Sequence, residues 1–283
     1  MCGFLYINDK SSFINLKKSH DSLNLQNHRG PDFQGQMGIS NYNNGFNFVD
    51  LNNNKNQKIN QYLGHNRLKI IDLSEKSNQP IFKGKSFFLY NGEFYNFKEF
   101  DNENTNSDTL TLFNRLENIG IDFLHNVNGM WSFIYGDMEQ NKIFLSRDRY
   151  GKKPLYYYNN QSLFIASSEI KSIYSYLDLK HREINPYYLA RFFHTKLNDY
   201  SSDQTFYKNI KSVKAGEVLE INNANFNIKR KLNIKKFPIK NFQFQSKECV
   251  KNDFKNDFQK AVSARLISDA PVGVLMSGGL DSS

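Results

Sequence analysis

The 283 residues are 39% hydrophobic and 15% aromatic, ample for a packed core, which excludes a wholly disordered chain. No apolar run approaches the roughly 18 residues of a membrane-spanning helix. The N-terminus lacks the basic region and cleavage site of a secretory signal. The two cysteines, Cys2 and Cys249, form neither a disulfide framework nor a CxxC pair, so a soluble, cytoplasmic protein is expected.

Lys+Arg 37 against Asp+Glu 28 gives a net charge of +9, a balance that would suit a nucleic-acid partner. The basic residues are scattered, however, in a background rich in Asn, Lys, Ile, Phe and Tyr. One modest cluster stands at Lys229-Arg230-Lys231 and Lys235-Lys236. No nucleic-acid role is read from it.

Short runs rich in β-branched and aromatic residues, bounded by Asn, Gly, Asp or Ser, predict strands. In chain order they are Gly3–Ile7, Phe46–Leu51, Leu68–Asp72, Ser86–Asn91, Trp131–Asp137, Lys142–Arg147, Ser162–Ala166 and Glu217–Ile221. Helices are fewer. Ser107–Ile119 carries Leu110, Phe113, Leu116 and Ile119 on one face, with Ser107 as N-cap and Gly120 just past the end. Glu169–Leu177 repeats that pattern. Asn185-Pro186 opens a third helix, with proline in the first turn, where its missing N–H costs nothing. Many short strands with few helices predict an α+β fold rather than a parallel doubly wound sheet. Residues 222–245, rich in Asn and Lys, are expected to be an exposed linker. Ser246–Ser268 then predicts an amphipathic helix through Val250, Phe254, Phe258, Val262 and Leu266, with Cys249 as a small buried hydrophobe. After Pro271, Val272–Met276 has the continuous apolar character of a strand buried on both faces.

Three groups of residues carry chemistry. Removal of Met1 would leave a thiol and a free α-amine on Cys2. The amine titrates near pH 8 and can take the thiol proton, so nucleophile and base share one residue. Polar segments at predicted strand ends form the second group: His28-Arg29-Gly30-Pro31-Asp32, His65-Asn66-Arg67 and Asn91-Gly92-Glu93, with Asp108 at a helix start. Singly each reads as a turn, a surface arginine or a helix-dipole carboxylate. Together they offer a cation, an Asn-Gly donor pair and carboxylates, the parts needed to hold an amino acid zwitterion and cleave its side-chain amide. Third, Ser277-Gly278-Gly279-Leu280-Asp281-Ser282-Ser283 follows an apolar run and would present backbone N–H groups to an anion. It is not a Walker A motif, which needs GxxxxGK[ST].

These motifs, with Ser146-Arg147-Asp148-Arg149-Tyr150-Gly151 through Pro154-Leu155-Tyr156, resemble the glutamine-hydrolysing asparagine synthetase B family in order and rough spacing. The resemblance implies a class II glutamine amidotransferase domain over residues 1–221, an N-terminal-nucleophile hydrolase with an αββα sandwich. After the 222–245 linker it implies the start of an α/β synthetase domain over 246–283. Carried over by residue, it implies Cys2 as nucleophile, Asn91 and Gly92 as oxyanion donors, and Arg67, Glu93 and Asp108 as holders of glutamine. Backbone groups of Leu68 and Ile70 would line the site. Met276, Ser277, Gly278, Gly279, Asp281 and Ser282 would begin an ATP site. In the family, ammonia from glutamine amidates aspartate with Mg2+ and ATP. Members often pair, so a homodimer is an expectation, and no metal is expected in the glutaminase site.

A family member would continue well beyond Ser283, which leads to the expectation of a partial record or a truncated product with glutaminase activity only. The acceptor stays open: synthetase-like enzymes of surface-polysaccharide clusters share these motifs. A catalytically idle domain that binds glutamine or a partner is the non-enzymatic alternative.

Overall fold

The computed structural model describes residues 1–42, 45–52, 57–177, 183–196, 202–234 and 246–280. Its strands are β1 (Gly3–Asp9), β2 (Phe33–Tyr42), β3 (Gly45–Asp50), β4 (Gln61–Arg67), β5 (Ile81–Lys83), β6 (Ser86–Phe94), β7 (Gly129–Asp137), β8 (Lys142–Arg147), β9 (Tyr156–Asn159), β10 (Leu163–Ser167), β11 (Ile210–Ser212), β12 (Glu217–Asn222) and β13 (Ile228–Asn233). Its α-helices are α1 (Leu16–Asn24), α2 (Asp108–Ile119), α3 (Ile170–Tyr176), α4 (Pro186–Thr195) and α5 (Lys247–Ala264).

The strands form two antiparallel sheets, ordered β11-β9-β10-β1-β4-β2-β3 and β13-β12-β8-β7-β6-β5. Alternation along the strands builds the layers, because successive side chains point to opposite faces. Phe4 and Tyr6 of β1 meet Phe87 and Leu89 of β6 and Ile134 of β7 between the sheets. Leu5 and Ile7 face the other way, with Leu23 of α1 and Ile173 of α3. Phe88, Tyr90, Trp131 and Phe133 pack outward with Phe113 and Leu116 of α2. The result is helix, sheet, sheet, helix, the αββα arrangement that the resemblance implied. Ser107 caps α2 as expected, accepting from the Leu110 N–H, and Asn185 accepts likewise from Tyr188 and Ser246 from Cys249.

Several expectations are corrected. Leu68–Asp72 is not a strand; the strand lies just before it, as β4. Its polar residues are buried, and several find partners within the fold. Gln61 accepts from the Tyr6 hydroxyl at 2.7 Å, and Asn66 donates to the Leu23 carbonyl at 3.0 Å. Asn91-Gly92-Glu93 is not a turn but part of β6, paired with Met130–Ser132 of β7. Within the expected linker, Ile228–Asn233 forms β13, an edge strand on β12, while 235–245 lies outside the described residues. Lys229, Arg230 and Lys231 of the basic cluster sit on that edge, and Lys235 and Lys236 lie outside the described residues. Arg230 pairs with Glu217 at 3.0 Å and Lys231 with Glu220 at 3.2 Å, so these charges answer a neighbouring strand. Cys249 is exposed, because α5 buries none of its residues. Val272–Met276 forms no strand: its residues are exposed and meet no neighbouring strand among the described residues. A strand of that kind is stable only with partners on its edges and cover on its faces.

Candidate active site

Cys2 stands at the start of β1, the middle strand of the seven-stranded sheet. Its thiol lies in a small cavity against Leu68, 3.4 Å from the Leu68 N–H nitrogen and 3.7 Å from the Leu68 carbonyl. Burial pushes the thiol above the usual cysteine range and lowers the N-terminal ammonium of Met1. The segment His28–Asp32 braces this end of the strand. Arg29 donates to the Cys2 carbonyl at 2.8 Å and pairs with Glu169 at 3.1 Å, which also meets His28 and Lys171. Asp32 receives the Lys69 N–H at 2.8 Å, and its own N–H donates to the Arg67 carbonyl at 3.0 Å. Gly30 packs on the same turn; a Cβ there would lie 2.3 Å from the Asn66 carbonyl oxygen.

Asn91, Gly92 and Glu93 of β6 form the opposite wall of the cavity. Gln79 grips the strand one residue earlier, accepting from the Tyr90 N–H at 2.6 Å and donating to the Tyr90 carbonyl at 3.1 Å. His65 donates Nε2–H to that carbonyl at 3.0 Å, and burial lowers its pKa to about 4, so the ring is neutral near pH 7. Asn91 is 1% exposed, yet its Nδ2 has no hydrogen-bond partner among the described residues. An unmet buried donor is costly, which marks this amide as one that waits for an acceptor. Gly92 tolerates no side chain: a Cβ would lie 2.5 Å from the Met130 carbonyl oxygen and 2.6 Å from the Tyr90 ring.

Arg67, at the end of β4, is buried. It donates to the Ser74 carbonyl at 2.7 Å, to Asn78 Oδ1 at 2.9 Å and to the Asp72 carbonyl. Asp108, in the first turn of α2, accepts from the Phe94 N–H at 3.1 Å and the Thr109 hydroxyl at 3.3 Å. Burial raises its pKa to about 6 despite those bonds. The motif after β8 is a scaffold. Arg147 donates to the Lys153, Gly151 and Val213 carbonyls, and Arg149 to the His125 and Leu124 carbonyls.

Cys2, Arg67, Leu68, Ile70, Asn91, Gly92, Glu93 and Asp108 therefore line one cavity although they span more than a hundred positions. Such a cavity places a thiol opposite an unpaired amide, with a cation and two carboxylates around them. Sequence reasoning missed Gln79 and Lys153, which also line it. Lys153 stood inside the quoted motif as one basic residue among several, and nothing but the fold turns it inward. Met276, Ser277, Gly278 and Gly279 lie in an exposed irregular segment, and Asp281 and Ser282 fall outside the described residues. Among the described residues no group of three or more His, Cys, Asp or Glu side chains could hold a metal, and no helix is long and apolar enough to cross a membrane.

Two antiparallel sheets between helix layers, with a thiol at the head of a central strand, define an N-terminal-nucleophile hydrolase fold. The glutamine phosphoribosylpyrophosphate amidotransferase of Bacillus subtilis, solved with ADP and GMP, shares it (TM-score 0.57, 17% identity, 81% of this chain and 49% of that one). The glutamine amidotransferase domain family matches residues 49–232 and the asparagine synthase family residues 253–283. The chain belongs to the glutamine amidotransferase domain family. Its relatives include a putative glutamine-hydrolyzing asparagine synthetase 2 of Methanocaldococcus jannaschii, 33% identical over 90% of this chain and 50% of that protein. Another is asparagine synthetase 3 of Bacillus subtilis, 29% identical over 100% of this chain and 44% of that protein. A third, amidase chry2 of Gibberella zeae, is 28% identical over 93% and 37%. The chain spans about half the length, or less, of these relatives.

Proposed function

We propose that this chain carries the glutamine-hydrolysing site of an asparagine synthetase. The observation behind the reading is the Cys2 thiol sharing a cavity with the unpaired Asn91 amide. Once Met1 is removed, the Cys2 α-amine takes the thiol proton and Sγ attacks the side-chain carbonyl carbon of glutamine. The oxyanion lies between Asn91 Nδ2 and the Gly92 N–H. A donor of this kind contributes about 10²–10³ in rate.

The ammonium formed from the thiol proton protonates the leaving nitrogen, the C–N bond breaks, and ammonia departs from a glutamyl thioester. Water then attacks the thioester, the α-amine again serving as base, and glutamate leaves with the thiol restored. Arg67 pairs with the α-carboxylate of glutamine, for which a planar fork is suited. Glu93 and Asp108 take the α-ammonium. Leu68 and Ile70 complete the lining through their backbones.

The ammonia serves an ATP- and Mg2+-dependent amidation in the whole protein, with aspartate as acceptor, in the cytoplasm. The similarity to a protein named an amidase favours one second reading, an acceptor other than aspartate. Glutamate release by wild type and Cys2→Ala, with mass spectrometry for loss of Met1, tests the hydrolysis. Turnover that survives Cys2→Ala would sink it. Supply of aspartate or other carboxylates with Mg·ATP to the whole protein tests the acceptor.

A further inference from the structure

Lys153 is 3% exposed, while its neighbour Lys152 is exposed. Lysine is almost never buried without a partner, and its side chain lines the same cavity as Cys2 and Glu93. The backbone around it is gripped from two sides. The Asp148 carboxylate accepts from the N–H groups of Tyr150, Lys152 and Lys153 at 3.0 Å each and from Trp131 at 3.3 Å. Arg147 donates to the Lys153 carbonyl at 2.8 Å. The ammonium itself makes no hydrogen bond among the described residues.

The charged groups around it come from several elements. Cys2 and the N-terminal amine face it from the residues just before β1, Glu93 from β6, Asp148 from its own turn, and Arg29 from the turn at residues 27–29. Arg67 faces the thiol from the end of β4, and Asp108 faces Glu93 from α2. Most of these are committed elsewhere. Asp148 serves four backbone N–H groups, Arg29 is tied to Glu169 and to the Cys2 carbonyl, and Arg67 is held by the Asp72–Asn78 loop. Glu93 and the nucleophile are what the Lys153 ammonium has left.

Resting on the reading of Cys2 as nucleophile, we propose that Lys153 is a positioning residue whose cation, locked by the Arg147–Asp148 scaffold, readies Cys2 for attack at neutral pH. The sign is the same by either route. A nearby cation favours the thiolate over the thiol and the neutral amine over the ammonium, so both lose their protons at lower pH. It opposes the burial that pushes the thiol up.

The test is the pH profile of Cys2 alkylation by iodoacetamide, followed on the Cys2 peptide by mass spectrometry to separate it from exposed Cys249. It needs no glutamine. Lys153→Met is expected to move the midpoint upward by about one pH unit and to slow alkylation about tenfold below it. Lys153→Arg should restore most of the shift, and Lys152→Met should leave it unchanged. An unmoved midpoint in folded Lys153→Met, or in Lys153→Gln should the first not fold, overturns the proposal. Unfolding of both would assign Lys153 a structural role and overturn it equally. A wild type that alkylates normally but turns over no glutamine would instead refute the hydrolase reading.

Discussion

Phe133 and Phe258 are the same residue in elements of equal regularity, yet one is wholly buried between β7 and its neighbours and the other is 60% exposed. The sandwich and the α5 helix differ in this way throughout. In β1, β6 and β7 both faces of the strand are covered, one by the opposite sheet and one by a helix. On α5, Val250, Phe254, Phe258 and Val262 form an exposed apolar stripe that Leu266 extends just past the helix, and Phe254 stacks on Phe258 with ring centroids 6.0 Å apart. The helix forms nonetheless, since its hydrogen bonds are internal and Ser246 caps it. Val272–Met276, equally apolar, stays irregular, because a strand finds its hydrogen bonds only on a neighbour. Local pattern suffices for a helix and not for a strand.

The comparison breaks hardest at the nucleophile. Cys2→Ala should remove glutamine hydrolysis by at least about 10⁴-fold with little change in Tm, whereas Leu275→Ala in the exposed segment should leave it within about twofold. Measured glutamate release that falls in both variants would mean that the segment belongs to the catalytic body. A stability contrast comes next. Phe133→Ala should cost about 3–5 kcal/mol by urea unfolding, and Phe258→Ala within about 0.5 kcal/mol. A comparable loss for Phe258 would show that something covers the α5 stripe in solution.

The same contrast decides what the sequence reveals. Strands β1, β6 and β7 are readable because their aromatic and β-branched runs contain few polar residues, and β8 and β12 because each keeps an apolar core between polar ends. β4 is hidden because Gln61, His65 and Asn66 are polar but buried, and only the partners Tyr6, Tyr90 and Leu23 make that tolerable. Asn91-Gly92 favours a turn locally, and pairing with β7 overrides that preference. β13 reads as linker because an edge strand can carry Lys and Arg on residues that face solvent. α1 has only two apolar residues, Leu16 and Leu23, too few to show its period. Most site residues were visible as motif letters. Gln79 and Lys153 acquire their places only through long-range contacts.

Asp108 supplies a smaller effect that couples stability to the site. Its folded pKa, about 6, lies above the ordinary 3.8, so folding favours the neutral acid. Stability is therefore fully present below about pH 4 and is lost as pH rises through about 6, a cost on the order of 3 kcal/mol at pH 7. Asp108→Asn should raise Tm at pH 7 and not at pH 4. It should also weaken glutamine binding, while in wild type KM should rise as pH falls through about 6 and the carboxylate that would pair with the α-ammonium is protonated. A Tm gain that persisted at pH 4 would show that ionisation is not its cause.

The smallest effect lies where the two regions touch. Ile267 packs against the outer core, and Arg265 sits 5.2 Å from the Tyr95 ring centroid. The Asp269 N–H donates to the Ile70 carbonyl at 2.8 Å, while its carboxylate accepts the Asp72 N–H at 2.7 Å. Asp72 in turn, at φ +54, offers its carbonyl to Arg67. The C-terminal segment thus reaches the guanidinium through one residue. Asp269→Ala removes a charge-assisted bond at an exposed position, worth about 1 kcal/mol. If that bond steadies the loop that orients Arg67, the loss falls on binding: KM for glutamine should rise about fivefold, with kcat and the Cys2 alkylation profile unchanged. An equal fall in kcat would place the effect on the nucleophile instead, and an unchanged KM would mean that the segment rests on the sandwich without setting its site.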